Sequence, residues 1–405
     1  MAKKIISAID VGTTKVCTIV ANVDSWGGIQ VLGVGVVPSH GMHKGVVVNV
    51  EEAKESISES VRRARQASGV PVESAYVGVT GRHITSLNNR GVVAIPRNDR
   101  LVRPEDLKRV LASARHITIP EDRKLLHAIP RHYILDGQER IRNPVGMHGF
   151  RLDVETHIIT ASIASVKNLV KCVRGVGIEI EDLILEPLAA GEAVLTPEER
   201  ELGVILADIG GGTTDVAVFK DGSIYHTSVL PVAGYQVTSD ISIGLGLPFE
   251  IAEAMKKKYG NVAPDLEPRK DEITLSVEDS HSVSYRNLCN IIRVRMEELI
   301  RLILLEMPSS DYASLAPSGL VLTGGTSNLP GLEALARSIL RIPVRVGEPM
   351  GVYGITDVLH NPAYATGVGL LLWGIRHKGQ PAWQAVKQSG ILGKFFTLLK
   401  KFFGG

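Results

Sequence analysis

The sequence predicts an α/β fold in which two duplicated halves face each other across a ligand cleft. Three observations predict it. A strand, a glycine turn and a second strand recur as one unit about 200 residues apart, and repetition of a whole unit marks duplicated domains rather than an ordinary hairpin. At 405 residues the chain is too long for one ordinary core. The first half places strands before its first helix, which points to a mixed sheet rather than strict alternation.

The first copy runs from Ile5 to Ile9, then Asp10, Gly12, Thr13, Thr14 and Lys15, then Val16 to Val20. The second runs through Val204, Ile205 and Leu206 to Asp208, then Gly210, Gly211, Gly212, Thr213, Thr214 and Asp215, then Val216 to Phe219. Glycines can take φ > 0 and carry no Cβ, so the N–H groups of such a turn can close around an anion, and phosphate fits best. Asp208 does not face phosphate directly but can hold a hydrated Mg²⁺ that bridges phosphate oxygens. Turn plus carboxylate, presented twice, reads as one nucleotide-phosphate site in the cleft.

In order, the first half opens with strands at about 4–10, 15–22 and 30–37. A helix follows at 51–68, because Val50, Ala53, Ile57, Val61 and Ala64 recur near helical spacing, and Gly69 ends it. A strand at 75–80 closes the half-sheet. From 83 to 161 the character changes: runs at 125–135 and 151–161 alternate apolar and polar residues, and a helix at 104–115 begins on proline. No glycine phosphate turn occurs there, so this stretch is read as a small α+β domain inserted into the first half. The first-half pattern resumes with a helix at 165–173, a strand at 179–185 and a helix at 188–195. His116, His127, His132, His148 and His157 have no Cys or second His at ligand spacing and are read as surface or structural groups.

The second half adds a strand at 223–230, a helical region opened by Gly234, and a helix at 248–259. A polar loop or hairpin at 261–284 precedes a long amphipathic helix at 285–307, stopped by Pro308. A strand ending at Thr323 then runs into Gly324, Gly325, Thr326 and Ser327 before a helix at 332–340. That junction can take phosphate at a helix N-terminus or admit a nucleoside edge-on.

Composition narrows the classes. A net charge of +2 gives no case for nucleic acid. Cys17, Cys172 and Cys289 lie too far apart for a zinc site or a disulfide framework and suggest a reducing cytosol. The N-terminus runs straight into the first phosphate strand and no stretch reaches about 18 apolar residues, so a cytoplasmic protein is expected. Charge is uneven, however. After Asp357 there is no acidic residue and six basic ones, so this tail carries +6 and the rest of the chain −4. A basic tail on an acidic body is expected to meet something anionic.

The end of that tail is amphipathic. At about 100° per residue, Ile391, Leu392, Phe395, Phe396, Leu398, Leu399, Phe402 and Phe403 fall within an arc of about 160°. Gly393, Lys394, Thr397, Lys400 and Lys401 occupy the rest. Four of the chain's seven phenylalanines lie in its last eleven residues, beyond a polar linker, which is the pattern of an interfacial membrane helix.

Four motifs now stand in order: Asp10/Gly12/Thr13/Thr14, Glu186-Pro187-Leu188-Ala189-Ala190, Asp208/Gly210 to Thr214, and Thr323 to Ser327. Together they resemble the phosphate 1, connect 1, phosphate 2 and adenosine motifs of the actin/Hsp70/hexokinase superfold, a ribonuclease H-like architecture, over about residues 3–376. Within it the chain resembles the FtsA family of bacterial cell-division proteins, which is marked by a small domain inserted early in the first half and by a C-terminal amphipathic helix.

The resemblance implies ATP and Mg²⁺ as cofactors. Gly12, Thr13, Thr14, Lys15 and Gly210, Gly211, Gly212 and Thr213 would cradle the phosphates, with Asp10 and Asp208 on the Mg²⁺ shell. Gly234 and Gly324, Gly325, Thr326 and Ser327 would flank ribose and adenine, although Ala233 stands where the superfold often has glycine. Glu186 matches a water-orienting glutamate and is the candidate general base; its other reading is a helix N-terminal carboxylate. No counterpart of the Hsp70 catalytic lysine is found, so hydrolysis is expected to be slow and the protein to be mainly a scaffold.

The implied division is subdomain 1A at 1–82, 163–198 and 358–379, inserted subdomain 1C at 83–162, subdomain 2A at 199–241 and 308–357, and subdomain 2B at 242–307. A linker at 380–389 and a membrane helix at 390–405 complete it. Implied partners are further copies in a filament, anionic lipids, the C-terminal tail of the tubulin-like protein FtsZ on subdomain 2B, and other division proteins on subdomain 1C. The implied location is the cytoplasmic face of the inner membrane at the division septum. A pilus-assembly ATP-binding protein or a small-molecule kinase of the same superfold is the alternative, and neither accounts for the tail.

Overall fold

The computed structural model describes residues 4–263, 272–274, 282–309 and 311–377. The expected linker and the membrane residues Ile391, Leu392, Lys394, Phe395, Phe396, Leu398, Leu399, Lys400, Lys401, Phe402 and Phe403 lie outside the described residues.

The first half is built on a six-stranded sheet in the order Glu179–Leu185, Ser74–Val79, Lys4–Val11, Lys15–Val23, Ile29–Pro38, Val352–Gly354. Its inner members pair antiparallel and its flanking strands parallel, so the sheet is mixed. Helix Val50–Ser68 packs on one face through Ala53, Ile57, Val61 and Ala64. Its start is set by Asn49, whose side chain accepts from the N–H groups of Glu51 and Glu52, and its end by Gly69 at φ 66°.

On the same core, helices Glu186–Val194 and Ala365–Arg376 cross in direct backbone contact. A Cβ on Gly369 would lie 1.8 Å from the Ala189 carbonyl oxygen. Only a glycine permits that approach, and it draws the last described helix against the one that begins at Glu186.

The inserted stretch forms its own four-stranded sheet, in the order Thr85–Ala94, Arg151–Ser162, Arg123–Leu135, Gln138–Ile141, with helix Pro104–Ala114 on it. A small separate core of Ile95, Val110, Tyr133, Leu152 and Val154 holds it together. Sequence reading found the two long strands but not Thr85–Ala94 or Gln138–Ile141. Thr85–Ala94 carries two asparagines and a glycine, all depleted in strands, and lies at the sheet edge where propensity decides little.

The second half repeats the plan as a five-stranded sheet in the order Ser223–Leu230, Thr214–Lys220, Val204–Ile209, Leu320–Thr323, Val344–Val346. Helices Gly234–Leu245 and Tyr285–Leu305 share a core with it through Val237, Ile241, Leu288, Ile292, Met296 and Leu299. The polar stretch contributes two short antiparallel strands, Glu272–Thr274 and Ser282–Ser284. The helix expected at 188–195 begins two residues earlier, which makes Glu186 its first residue. Val352–Gly354, in a stretch expected to belong to the second half, pairs instead with Ile29–Pro38 of the first sheet.

Candidate functional site

The two repeated units are alike in hydrogen bonding. Gly12 N–H donates to Lys15 O at 3.0 Å and Gly210 N–H to Thr213 O at 2.9 Å, and Asp10 and Asp208 each sit two residues before the turn glycine. The two turns abut. A Cβ on Gly211 would lie 2.2 Å from Thr14 Cγ2, and one on Gly212 would lie 2.4 Å from Thr13 Oγ1.

One expectation is corrected here. Gly12 and Gly210, Gly211 and Gly212 all keep φ outside the left-handed region. At Gly211 and Gly212 the glycine is required because a side chain would collide with the opposite turn, whereas a Cβ on Gly12 or Gly210 would press on its own turn, 3.0 Å from Lys15 O and 3.2 Å from Thr213 O. At the turn tips the N–H groups of Thr13, Thr14, Gly211 and Gly212 make no backbone hydrogen bond among the described residues, so four donors remain for an anion.

Four carboxyl groups and one ammonium gather behind the turns. Asp10, Glu186, Asp208 and Asp215 are all buried. Burial pushes Asp208 up to about 6 and Asp215 to about 7, with like charges adding to the shift. Asp10 and Glu186 are raised too, Glu186 well above the usual range, by burial and then by Asp10, Asp215 and Asp208. Lys15 opposes all but one of these shifts and is outnumbered. A cluster short of positive charge, next to unengaged N–H donors, fits a divalent cation carrying phosphate. Among the described residues no three His, Cys, Asp or Glu form a direct metal cage.

Threonines fix two of these carboxyls, one from nearby and two from far along the chain. Thr366 Oγ1 donates to Asp208 Oδ2 at 2.9 Å, Thr213 Oγ1 to Asp215 Oδ2 at 3.1 Å, and Thr80 Oγ1 to Asp215 Oδ1. Lys15 Nζ lies 5.3 Å from the centre of the Tyr364 ring. The N–H of Leu185, which caps the helix starting at Glu186, donates to His127 Nε2 at 3.1 Å. Sequence reading assigned no role to Asp215, Thr80, Thr366 or Tyr364. Asp215 lies within the second turn motif and was legible there; the other three are isolated residues with no local signal.

The third glycine junction closes the site. Thr326 Oγ1 donates to Gly210 O at 2.7 Å, and Gly234 N–H donates to the same oxygen at 3.1 Å. Gly324 stands at φ 85° against Asp208 and Ile209, while Gly325 and Ser327 belong to a single 3₁₀ turn, so the junction is not a helix N-terminus. Helix Leu332–Leu340 begins later. Gly234 is the first residue of helix Gly234–Leu245, and Ala233 before it is extended, a conformation any residue adopts. Lys256 Nζ donates to Gly234 O at 2.9 Å and to Thr238 Oγ1 at 2.8 Å, placing a cation beside Gly234 that sequence reading missed. Thr13, Thr14, Gly210, Gly211, Gly212, Gly234, Gly324 and Thr326 thus lie close together, with Asp10, Lys15, Glu186 and Asp208 acting on one another beside them.

The family model "Cell division protein FtsA" matches residues 205–369, and the model "SHS2 domain inserted in FTSA" matches residues 81–160. The cell division protein FtsA of Pseudomonas aeruginosa is 45% identical over 92% of this chain and 90% of its own length. Those of Bacillus subtilis and Escherichia coli are 38% and 35% identical over 91% and 92% of this chain and 83% and 90% of their own.

Among solved structures, the PilM-PilN type IV pilus biogenesis complex aligns with a TM-score of 0.66 at 18% identity, over 91% of this chain and 98% of that one. MreB5 of Spiroplasma citri bound to ADP aligns at 0.53 and 13% identity, over 93% and 99%. These distant likenesses show an actin-like fold. The identities to the bacterial division proteins show more: the chain belongs to the FtsA family of cell-division proteins.

Proposed function

We propose that the chain is an ATP-binding, actin-like scaffold that polymerises on the inner face of the cytoplasmic membrane and anchors FtsZ there at the division septum. The observation that carries the reading is the pair of abutting glycine turns, with four unengaged N–H donors and a cluster of carboxyls behind them. Gly12, Thr13, Thr14, Lys15, Gly210, Gly211, Gly212 and Thr213 hold the phosphates, and Asp10 and Asp208 hold Mg²⁺ through water. Gly234, Gly324, Gly325, Thr326 and Ser327 flank the nucleoside, and Glu186 orients water for a slow hydrolysis. MreB5 of Spiroplasma citri, solved bound to ADP and to AMPPNP, supports a nucleotide in this fold.

ATP bridging the two halves would close the subunit for assembly into a filament. The C-terminal helix at 390–405 lies on anionic lipid, and a row of such helices binds far better than one because each later contact is intramolecular. Residues 242–307 receive the FtsZ tail and the inserted domain meets other division proteins. No helix among the described residues is long and apolar enough to cross a membrane.

The test is sedimentation of the full chain and of a variant lacking Gly390 to Gly405 with phosphatidylglycerol vesicles, with and without Mg·ATP and FtsZ. The full chain should carry FtsZ into the pellet only with vesicles present. Equal pelleting by the truncated variant would sink the membrane reading.

A further inference from the structure

Behind Glu186 lies a small cavity whose polar lining is Glu186, Thr80, His83 and Ser165 and whose apolar wall includes Val47 and Leu169. Its volume of about 10 Å³ is room for about one water molecule. Both ring nitrogens of His83 are buried without a hydrogen-bond partner among the described residues. A buried polar group in that state is costly, and a guest that bonds to it removes the cost.

The histidine is held in place from two sides. Its carbonyl accepts from Arg123 Nη2 at 2.8 Å, and Gly81 at φ +123° packs where a Cβ would lie 2.9 Å from His83 Nδ1. Burial and then Arg123 hold the imidazole down at about 4, so the ring is neutral, with one donor and one acceptor nitrogen. Thr80 is already committed to Asp215. Glu186 is not: its carboxyl is acted on by burial and by surrounding charges, with no protein hydrogen bond among the described residues. Its Oε1 packs on Gly78, 3.3 Å from where a Cβ would stand.

We propose that this cavity holds a single water shared by His83 and the Glu186 carboxyl, and that His83 is a positioning residue which sets the orientation of Glu186 for its action on bound nucleotide. The inference deepens the nucleotide reading above and rests on it. The terminal torsion of a glutamate is broad, so a carboxyl with no partner samples many orientations. A hydrogen bond from behind selects one, and that affects the rate of the chemical step far more than binding.

The experiment uses the full chain with Mg·ATP, reading affinity by calorimetry and hydrolysis of bound ATP in a single turnover. His83→Phe fills the cavity and removes both nitrogens. It should leave affinity within about two-fold and slow hydrolysis about ten-fold or more, the scale of a misplaced acid–base group. His83→Gln, which still bonds to the water, should restore the rate to within about three-fold by the same argument. His83→Ala replaces the Phe variant if thermal melting shows that one misfolded, and it reads the same way.

Unchanged hydrolysis in the Phe or Ala variant, a Gln variant as slow as they are, or no hydrolysis by the unmodified chain would overturn the proposal alone. Failure of the unmodified chain to bind ATP would remove the nucleotide reading and the proposal together.

Discussion

Thr366 Oγ1 donates to Oδ2 of Asp208 at 2.9 Å across 158 residues of sequence. The last described helix is thereby tied to a carboxyl at the centre of the cleft, and the same helix ends at Arg376, whose guanidinium pairs with Glu192 on the helix that begins at Glu186. Thr366→Val removes that hydrogen bond while keeping the side-chain shape. A bond to a charged group is worth about 1.5–3 kcal/mol, so ATP affinity should fall by roughly ten-fold or more. Calorimetry should show the loss with Mg²⁺ present and little change in its absence; an equal loss in both would place Asp208 away from the cation.

The contact between the turns gives a sharper test. Gly212→Ala puts a methyl group 2.4 Å from Thr13 Oγ1, so the turns must separate and their N–H groups spread. ATP affinity should drop by at least about ten-fold, and adding Thr13→Ala should recover part of it, because contacting residues couple. Purely additive losses in the double variant would mean that the clash is not the cause.

Gly369→Ala tests packing rather than ligand binding. The new methyl group would lie 1.8 Å from the Ala189 carbonyl oxygen, and neither helix backbone can yield by rotating a side chain. Overpacking of this kind costs about 1–3 kcal/mol or more. The midpoint of thermal unfolding should fall by several degrees, and an unchanged melt would contradict the close crossing of the two helices.

The inserted domain docks on the second half through a buried histidine. His157 Nδ1 lies 2.8 Å from Asn88 Oδ1, and its Nε2 lies 3.0 Å from Thr227 Oγ1 on strand Ser223–Leu230. Burial, helped by His226 and Arg131, lowers His157 to about 3. A lowered imidazole stays neutral when folded, while the unfolded chain takes up a proton below about 6.5. Between about 6.5 and 3 the unfolded state binds more protons, so stability falls as pH falls through that window. His157→Gln should flatten the slope of melting midpoint against pH between 7 and 5, and an unaltered slope would remove His157 as its source.

How much of this was legible in the sequence follows from where each signal resides. The two glycine turns stood out because backbone recognition of an anion needs glycines at fixed local spacing, and the repeat displayed that spacing twice. Even so, the reason was misjudged at Gly211 and Gly212. Their lack of a side chain serves contact with Thr14 and Thr13 of the other turn, a neighbour no local pattern names. The third junction meets the second turn through Thr326 and Gly210, and its 3₁₀ turn was not foreseen, because a Gly-Gly-Thr-Ser run is compatible with either form.

The sequence by itself determined the duplicated α/β plan, the inserted domain, the carboxyls beside each turn and the amphipathic pattern from Ile391 to Phe403. These rest on periodicity and on short motifs, which act between residues near in the chain. Only the tertiary structure decided that Thr80 and Thr366 orient the acidic cluster, that Lys256 joins Gly234, and that His83 shares a cavity with Glu186. Each depends on the packing of separate elements, and a lone threonine, lysine or histidine carries no mark of what folding brings beside it.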